Sequence, residues 1–208
     1  LRESFRLIRL LEKQSSKLQN AKNKAAFIDR DGVINIERNY VGKLEDFELI
    51  KGALSGLALL QNAGFLLIVI TNQSGIARGY YTENDFQILT NSMKSFFVKG
   101  GVAITEVYYC PHHPVAGIGQ YKQDCECRKP KPGMILKAAS RHNIDLGQSV
   151  LVGDKMSDIQ AGLDSGIQKN ILVESGHELS KSDRKKAKVV CSNLYEAARL
   201  IISEIYAT

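Results

Sequence analysis

The segment Phe27-Ile28-Asp29-Arg30-Asp31-Gly32-Val33 sets two carboxylates two residues apart at the end of an apolar run, with a glycine directly after them. In an extended strand, residues i and i+2 point to the same side, so Asp29 and Asp31 are expected to converge just beyond the strand's C-terminal end. Open α/β sheets place their chemistry at that edge. One carboxylate of such a pair can act as a nucleophile that carries a phosphoryl group while its neighbour moves protons, and together they can hold a divalent cation. Taken alone, Asp-x-Asp-Gly is also what a buried strand entering a turn looks like.

Three further segments narrow the choice, each at the end of an apolar strand pattern or the start of a helix. Leu66 to Ile70 runs into Thr71-Asn72-Gln73-Ser74-Gly75, where a hydroxyl, two amides and small residues can wrap a phosphate. Arg128-Lys129-Pro130-Lys131-Pro132-Gly133 supplies fixed positive charge ahead of a helical pattern. Val150-Leu151-Val152 leads to Gly153-Asp154-Lys155, with Asp158 one helical turn on. The elements that must position these groups alternate. Strands are predicted near residues 25–29, 66–71, 104–109, 149–153 and 170–174, and helices near 52–63, 82–98, 133–142, 157–165 and 193–205. This order predicts a parallel sheet covered on both faces, a Rossmann-like three-layer α/β/α sandwich. Right-handed crossovers then bring the ends carrying Asp29, Thr71 and Asp154 to one edge.

With these strings in place the chain resembles the haloacid dehalogenase-like phosphatases, and within them the D-glycero-D-manno-heptose 1,7-bisphosphate 7-phosphatases of lipopolysaccharide biosynthesis. Histidinol-phosphate phosphatases are a near relative. The likeness covers roughly residues 25 to 205 and rests on Asp29 to Gly32, TNQSGIARG (Thr71 to Gly79), CPHHP (Cys110 to Pro114), CECRKP (Cys125 to Pro130) and GDKMSD (Gly153 to Asp158). It implies that Asp29 is the nucleophile, forming an aspartyl-phosphate, and that Asp31 is the acid and base. It implies Mg2+ held by the Asp29 and Asp154 carboxylates and the Asp31 main-chain carbonyl, with Asp158 orienting that shell. Thr71, Asn72 and Lys129 would balance charge on the transferring oxygens; Lys131 is the weaker cation candidate. Glu37, Arg38, Asn39 and Tyr40 would reach over the sugar, Gln73 and Ser74 would line its side, and Arg128 and Lys155 would add cationic contacts. The implied substrate is a small anionic sugar phosphate, with histidinol phosphate the runner-up. The intervals after Asp31 and Thr71 leave no room for a large cap domain.

The cysteines form a second constellation. Cys110-x-His112 and Cys125-x-Cys127 are separated by twelve residues, and three thiols with an imidazole are the soft donor set of a structural Zn2+ site. His113 is the alternative to His112. The resembled family carries zinc on the matching positions. Four protein ligands leave no open position for substrate, so zinc here would staple the loop 110–127 and with it Arg128 and Lys129. Cys191 reads as a core or half-buried strand residue, and His142 and His177 as surface or structural residues.

Length and composition set the frame: 208 residues with 44% apolar content suit one α/β domain. The domains expected are an N-terminal amphipathic, basic helix over 1–24 and a phosphatase domain over 25–208. Residues 1–24 carry seven Lys or Arg and two Glu of a total net charge of +6, so the rest of the chain is nearly neutral. A basic groove for a polynucleotide 3'-phosphatase is thereby not supported. A non-catalytic phosphate-binding module would lack one of Asp29, Asp31 and Asp154, yet all are present. No transmembrane run or signal peptide stands out, which points to a cytoplasmic protein with no membrane insertion and no nucleic-acid partner. A monomer is expected, with the N-terminal helix as the candidate for self-association. The start on Leu1 rather than Met is read as the mark of a longer polypeptide, to whose upstream domain that helix could link.

Overall fold

The computed structural model describes residues 22–207. The helix expected over 1–24 falls almost wholly outside these residues. The sheet has six parallel strands in the order β3-β2-β1-β4-β5-β6. In chain order these are β1 (Ala25–Ile28), β2 (Leu66–Asn72), β3 (Glu106–Cys110), β4 (Val150–Gly153), β5 (Lys169–Val173) and β6 (Val190–Cys191). Helices α1 (Ala53–Asn62), α2 (Ser74–Ala77), α3 (Glu83–Lys99), α4 (Gly133–Arg141), α5 (Met156–Ser165), α6 (Lys181–Lys186) and α7 (Leu194–Tyr206) connect them.

Strand alternation builds the three layers. Ala26 and Ile28 of β1 enter a core with Leu57 and Leu60 of α1, Met93 and Phe97 of α3 and Ala198 and Ile201 of α7. Ala25 and Phe27 enter the opposite core with Met134 and Ile135 of α4 and Ile159 of α5. Both faces are thus covered, as near-continuous apolar strands require. Helix α3 starts where Thr82 and Asp85 form a capping box, and the Asn193 side chain caps α7. Cys191, read as a core or half-buried strand residue, lies partly buried in the two-residue β6. Two helices lie outside the predicted set: α6 is built almost entirely from charged residues, and α2 is a single turn. Neither offers enough residues for hydrophobic periodicity to register.

No large cap domain interrupts the sheet, and the excursions that face its C-terminal edge are loops. The segment from Arg30 to Gly52 holds one short 3-10 turn, Leu44–Asp46, and the segment from Pro111 to Pro132 another, Gly119–Tyr121. Among the described residues no helix is long and apolar enough to cross a membrane.

Candidate active site and metal centres

At the C-terminal edge of the sheet, the ends of β1, β2 and β4 open onto a cavity of about 480 Å³. Asp29, the first residue past β1, still donates its N–H to Val152 O across the sheet at 3.0 Å. Its Oδ1 accepts from Arg30 N at 2.7 Å and lies 2.8 Å from Lys129 Nζ, while no hydrogen bond engages Oδ2 among the described residues. Asp31 also lines the cavity, but not by strand alternation as expected. β1 ends at Ile28, and Asp31 sits in a turn closed by Ile34 N to Arg30 O at 2.8 Å and Gly32 N to Asn35 O at 2.7 Å. Gly32 holds φ +85 there, a conformation that a side chain disfavours.

Lys129 is buried; its ammonium donates to Ile70 O at 2.9 Å and forms ion pairs with Asp29 Oδ1 at 2.8 Å and Asp158 Oδ1 at 2.6 Å. Burial works against its charge, but the Asp158 and Asp29 carboxylates outweigh burial and hold its pKa above the usual lysine range. Asn72 clamps the main chain of this lysine, accepting from Lys129 N and donating to Lys129 O, each at 3.1 Å. Its carbonyl and one amide hydrogen are therefore engaged in placing Lys129, a positioning task that the motif did not disclose. Thr71, buried at the end of β2, accepts from Gln73 Nε2 at 2.7 Å and keeps its own hydroxyl hydrogen to donate.

Asp154 is 1% exposed, and neither carboxylate oxygen has a hydrogen-bond partner among the described residues. The room for it is made by glycines: a Cβ on Gly32 would lie 2.3 Å, and one on Gly176 2.1 Å, from Asp154 Oδ2. Ligand oxygens of Asp29, Asp154 and Asp158 lie within 4.8 Å of one another. Burial and the neighbouring carboxylates push Asp154 up to about 8; burial pushes Asp29 up to about 6 against the pull of Lys129. Converging buried carboxylates with orphaned oxygens fit a hard divalent cation such as Mg2+. Asp158, expected only to orient the metal's surroundings, lies within this group, while its Oδ2 accepts from Lys155 N at 2.9 Å.

The cysteine cluster sits beside the cavity where β3 ends. Cys110 Sγ is 3.5 Å from Cys125 Sγ, Cys127 Sγ is 3.2 Å from Cys125 Sγ, and His112 Nδ1 is 3.4 Å from Cys127 Sγ and 3.8 Å from Cys110 Sγ. Hydrogen bonding from Cys110 brings the Cys127 thiol down to about 5, at the cost of a Cys110 thiol driven upward. Such a compact Cys3His set fits tetrahedral Zn2+. His113 turns away, its Nδ1 accepting from Ala116 N at 3.0 Å and Val115 N at 3.2 Å. Arg128 NH1 donates to His112 O at 3.1 Å, tying a cavity-lining cation to the cluster.

Glu37, Asn39, Tyr40, Gln73, Ser74, Arg128 and Lys155 all line the cavity. Arg38 is not among the lining residues; its exposed side chain pairs with Glu48 at the surface. Lys131 bridges Asp124 and Glu126, away from the reacting groups. His177, read from sequence as a surface or structural residue, lines the cavity with Nε2 3.2 Å from Asp154 Oδ2. Burial, reinforced by Lys155, lowers its pKa. Tyr81, Ser157 and Arg30 also belong to the site surroundings, and none was singled out from sequence. An Asp-Arg-Asp string was the one available signal for Arg30.

A family model described as HAD-hydrolase-like matches residues 126–197. A D-glycero-alpha-D-manno-heptose-1,7-bisphosphate 7-phosphatase of Photorhabdus laumondii is 44% identical over 184 residues, covering 88% of this chain and 100% of the relative. The chain belongs to the haloacid dehalogenase-like phosphatases, in the family of the D-glycero-D-manno-heptose-1,7-bisphosphate 7-phosphatases. It is accordingly a phosphoric monoester hydrolase. A D-glycero-beta-D-manno-heptose-1,7-bisphosphate 7-phosphatase of Vibrio cholerae is 45% identical over 178 residues, 86% of this chain and 96% of that relative. The D,D-heptose 1,7-bisphosphate phosphatase of B. bronchiseptica, solved with magnesium and phosphate, superimposes with a TM-score of 0.76 at 29% identity, covering 87% of this chain and 99% of that one. Both anomeric names thus occur among similar family members.

Proposed function

We propose that this phosphatase removes the 7-phosphate of D-glycero-D-manno-heptose 1,7-bisphosphate through an aspartyl-phosphate on Asp29. The observation that carries this reading is the convergence of Asp29, Asp158 and Lys129 in an open cavity with the buried Asp154 beside them, in a chain that aligns with the whole length of one relative and 96% of another. Asp29 Oδ2, free of hydrogen bonds, attacks the phosphorus as the bond to the sugar oxygen breaks. Asp31 protonates that oxygen, then takes a proton from the water that hydrolyses the aspartyl-phosphate. Thr71 donates to a phosphoryl oxygen, and Lys129, kept in place by Asn72, supplies fixed positive charge. Mg2+, held by Asp29 and Asp154, by the Asp31 main-chain carbonyl and in the company of Asp158, would neutralise charge on the phosphoryl oxygens.

Zn2+ on Cys110, His112, Cys125 and Cys127 would be structural, keeping Arg128 and Lys129 at the rim and floor of the cavity. Arg128 and Lys155 face the part of the substrate remote from the reacting phosphate, where a bisphosphate carries its second charge. The Glu37–Lys155 separation of 3.7 Å leaves that lysine ammonium only loosely engaged. Steady-state phosphate release from both anomers of the heptose bisphosphate and from histidinol phosphate tests the assignment. A higher kcat/KM on either heptose anomer is expected. A preference for histidinol phosphate over both would overturn the substrate and leave the phosphatase chemistry standing.

A further inference from the structure

Arg30 is 1% exposed, and a guanidinium so deeply buried has a large desolvation cost unless it is paired and hydrogen-bonded. Its partners come from several segments of the chain. Nε and NH2 each reach both oxygens of Asp31, at 2.9–3.2 Å. NH2 also donates to Val41 O at 2.6 Å, and it lies 3.3 Å from Gln73 Oε1. The guanidinium carbon stands 5.6 Å from the centre of the Phe86 ring, which fixes the plane of the fork. Gln73 is held in turn by the Tyr81 hydroxyl, so that its Nε2 donates to Asp31 Oδ2 at 2.9 Å. Asn35 Nδ2 donates to Asp31 Oδ1 at 3.0 Å.

Val41 closes the segment whose Glu37, Asn39 and Tyr40 line the cavity. We infer that Arg30 is a positioning residue that ties the orientation of Asp31 to this segment, so that proton transfer to the departing sugar oxygen depends on how the sugar seats against residues 37–41. The inference rests on the proposed acid role of Asp31 and adds to it the group that aims the carboxylate. As seen here, donors occupy both oxygens of Asp31, and a proton on either would meet one of those N–H groups. To deliver its proton to the sugar oxygen, Asp31 must yield part of its contact with Arg30. A sugar that shifts residues 37–41 moves the Val41 carbonyl, and the shared guanidinium carries that displacement to Asp31. A rigid planar fork can transmit it because its donors keep fixed relative directions, whereas a lysine ammonium has no such geometry.

The test uses the magnesium-loaded full chain and two substrates that differ in their need for an acid. The sugar oxygen of the heptose bisphosphate is a poor leaving group that needs protonation; 4-nitrophenolate leaves without it. Because kcat/KM reports events up to formation of the aspartyl-phosphate, later hydrolysis does not blur the comparison. Arg30→Met and Arg30→Lys should each lower the ratio of kcat/KM for the heptose bisphosphate to that for 4-nitrophenyl phosphate by up to about a hundredfold, the lower end of what a positioned general acid contributes, because the acid is misaimed and not removed. Asp31→Asn, measured alongside, should show the same bias. Equal losses on both substrates, or an unaltered ratio, in folded Arg30 variants would overturn the inference. If Arg30→Met does not fold, Arg30→Lys, which keeps the buried charge, decides by the same ratio. Absence of bias in Asp31→Asn would remove the acid role itself, and this inference with it. Bias in Asp31→Asn without bias in the Arg30 variants would remove only the part assigned to Arg30.

Discussion

Asp29 combines two properties that a nucleophile needs: one oxygen fastened by Arg30 N and Lys129, the other unengaged and facing the cavity. Asparagine in its place keeps the size and the contact to Lys129 but neither attacks phosphorus well nor ligates a hard cation. Asp29→Asn is therefore expected to retain the fold and lose turnover, with phosphate release from the heptose bisphosphate as the measure. A folded, magnesium-replete variant working at the normal rate would end the aspartyl-phosphate reading. The neighbouring residues show why identity and role are separate matters. Asn72 and Gln73 carry similar amides, yet one clamps the Lys129 main chain and the other bridges Thr71 and Asp31.

The loop from Cys110 to Cys127 is the element on which the outer part of the site depends. Beyond Cys110, which ends β3, it has no regular structure apart from a single 3-10 turn, and loops of this length are uncommon in a compact domain. Metal analysis of protein purified without chelators should find about one firmly held Zn2+ per chain, the stoichiometry of a single closed Cys3His site. Cys125→Ser combined with Cys127→Ser should remove it and make the loop cleavable by protease before the sheet unfolds. Zinc-free protein with an equally resistant loop would refute the staple. Arg128 belongs to the same element, since its guanidinium is anchored on the His112 carbonyl. A well-placed charge-assisted contact contributes roughly 1.5–3 kcal/mol. Arg128→Ala should thus lower kcat/KM about ten- to a hundredfold more on the heptose bisphosphate than on an aryl monophosphate. Equal losses would assign Arg128 to phosphoryl transfer in general.

For the molecule as a whole, the buried carboxylates make stability depend on pH and metal together. Burial raises Asp154 from 3.8 to about 8 and Asp29 from 3.8 to about 6. A carboxylate whose pKa is raised by folding binds its proton more tightly in the native state, so its contribution is complete below the unfolded pKa and is lost as pH rises through the folded one. Magnesium-free protein should accordingly lose thermal stability between about pH 4 and pH 8 through these two groups. A cation favours the ionised forms and opposes that loss. The Tm increase on adding Mg2+ should therefore be larger at pH 8.5 than at pH 6, read by thermal scans at fixed zinc content. Asp154→Asn should flatten the difference. An increase that is the same at both pH values, or larger at pH 6, would contradict this account.

The sequence by itself determined what is local. Apolar runs of three to five residues marked β1, β2 and β4, because a strand buried on both faces needs apolar side chains throughout. The chemistry at those strand tips was legible in Asp29, Thr71 and Asp154, and the cysteine spacing in the loop after β3, because donor type and short spacing are properties of a few adjacent residues. Tertiary structure decided which distant groups meet. Gly32 and Gly176 enclose Asp154, and the latter, with His177, arrives on the loop after β5, where no periodicity announces it. The choice of His112 over His113 came from the loop's fold, which turns His113 onto its own backbone. Arg38 turned outward to Glu48 while its neighbours lined the cavity, and Arg30 turned inward to Asp31 and Val41. The physical reason is common to all four: a side chain's partner is set by crossovers and turns that pack remote segments together, and strand periodicity carries no information about that packing.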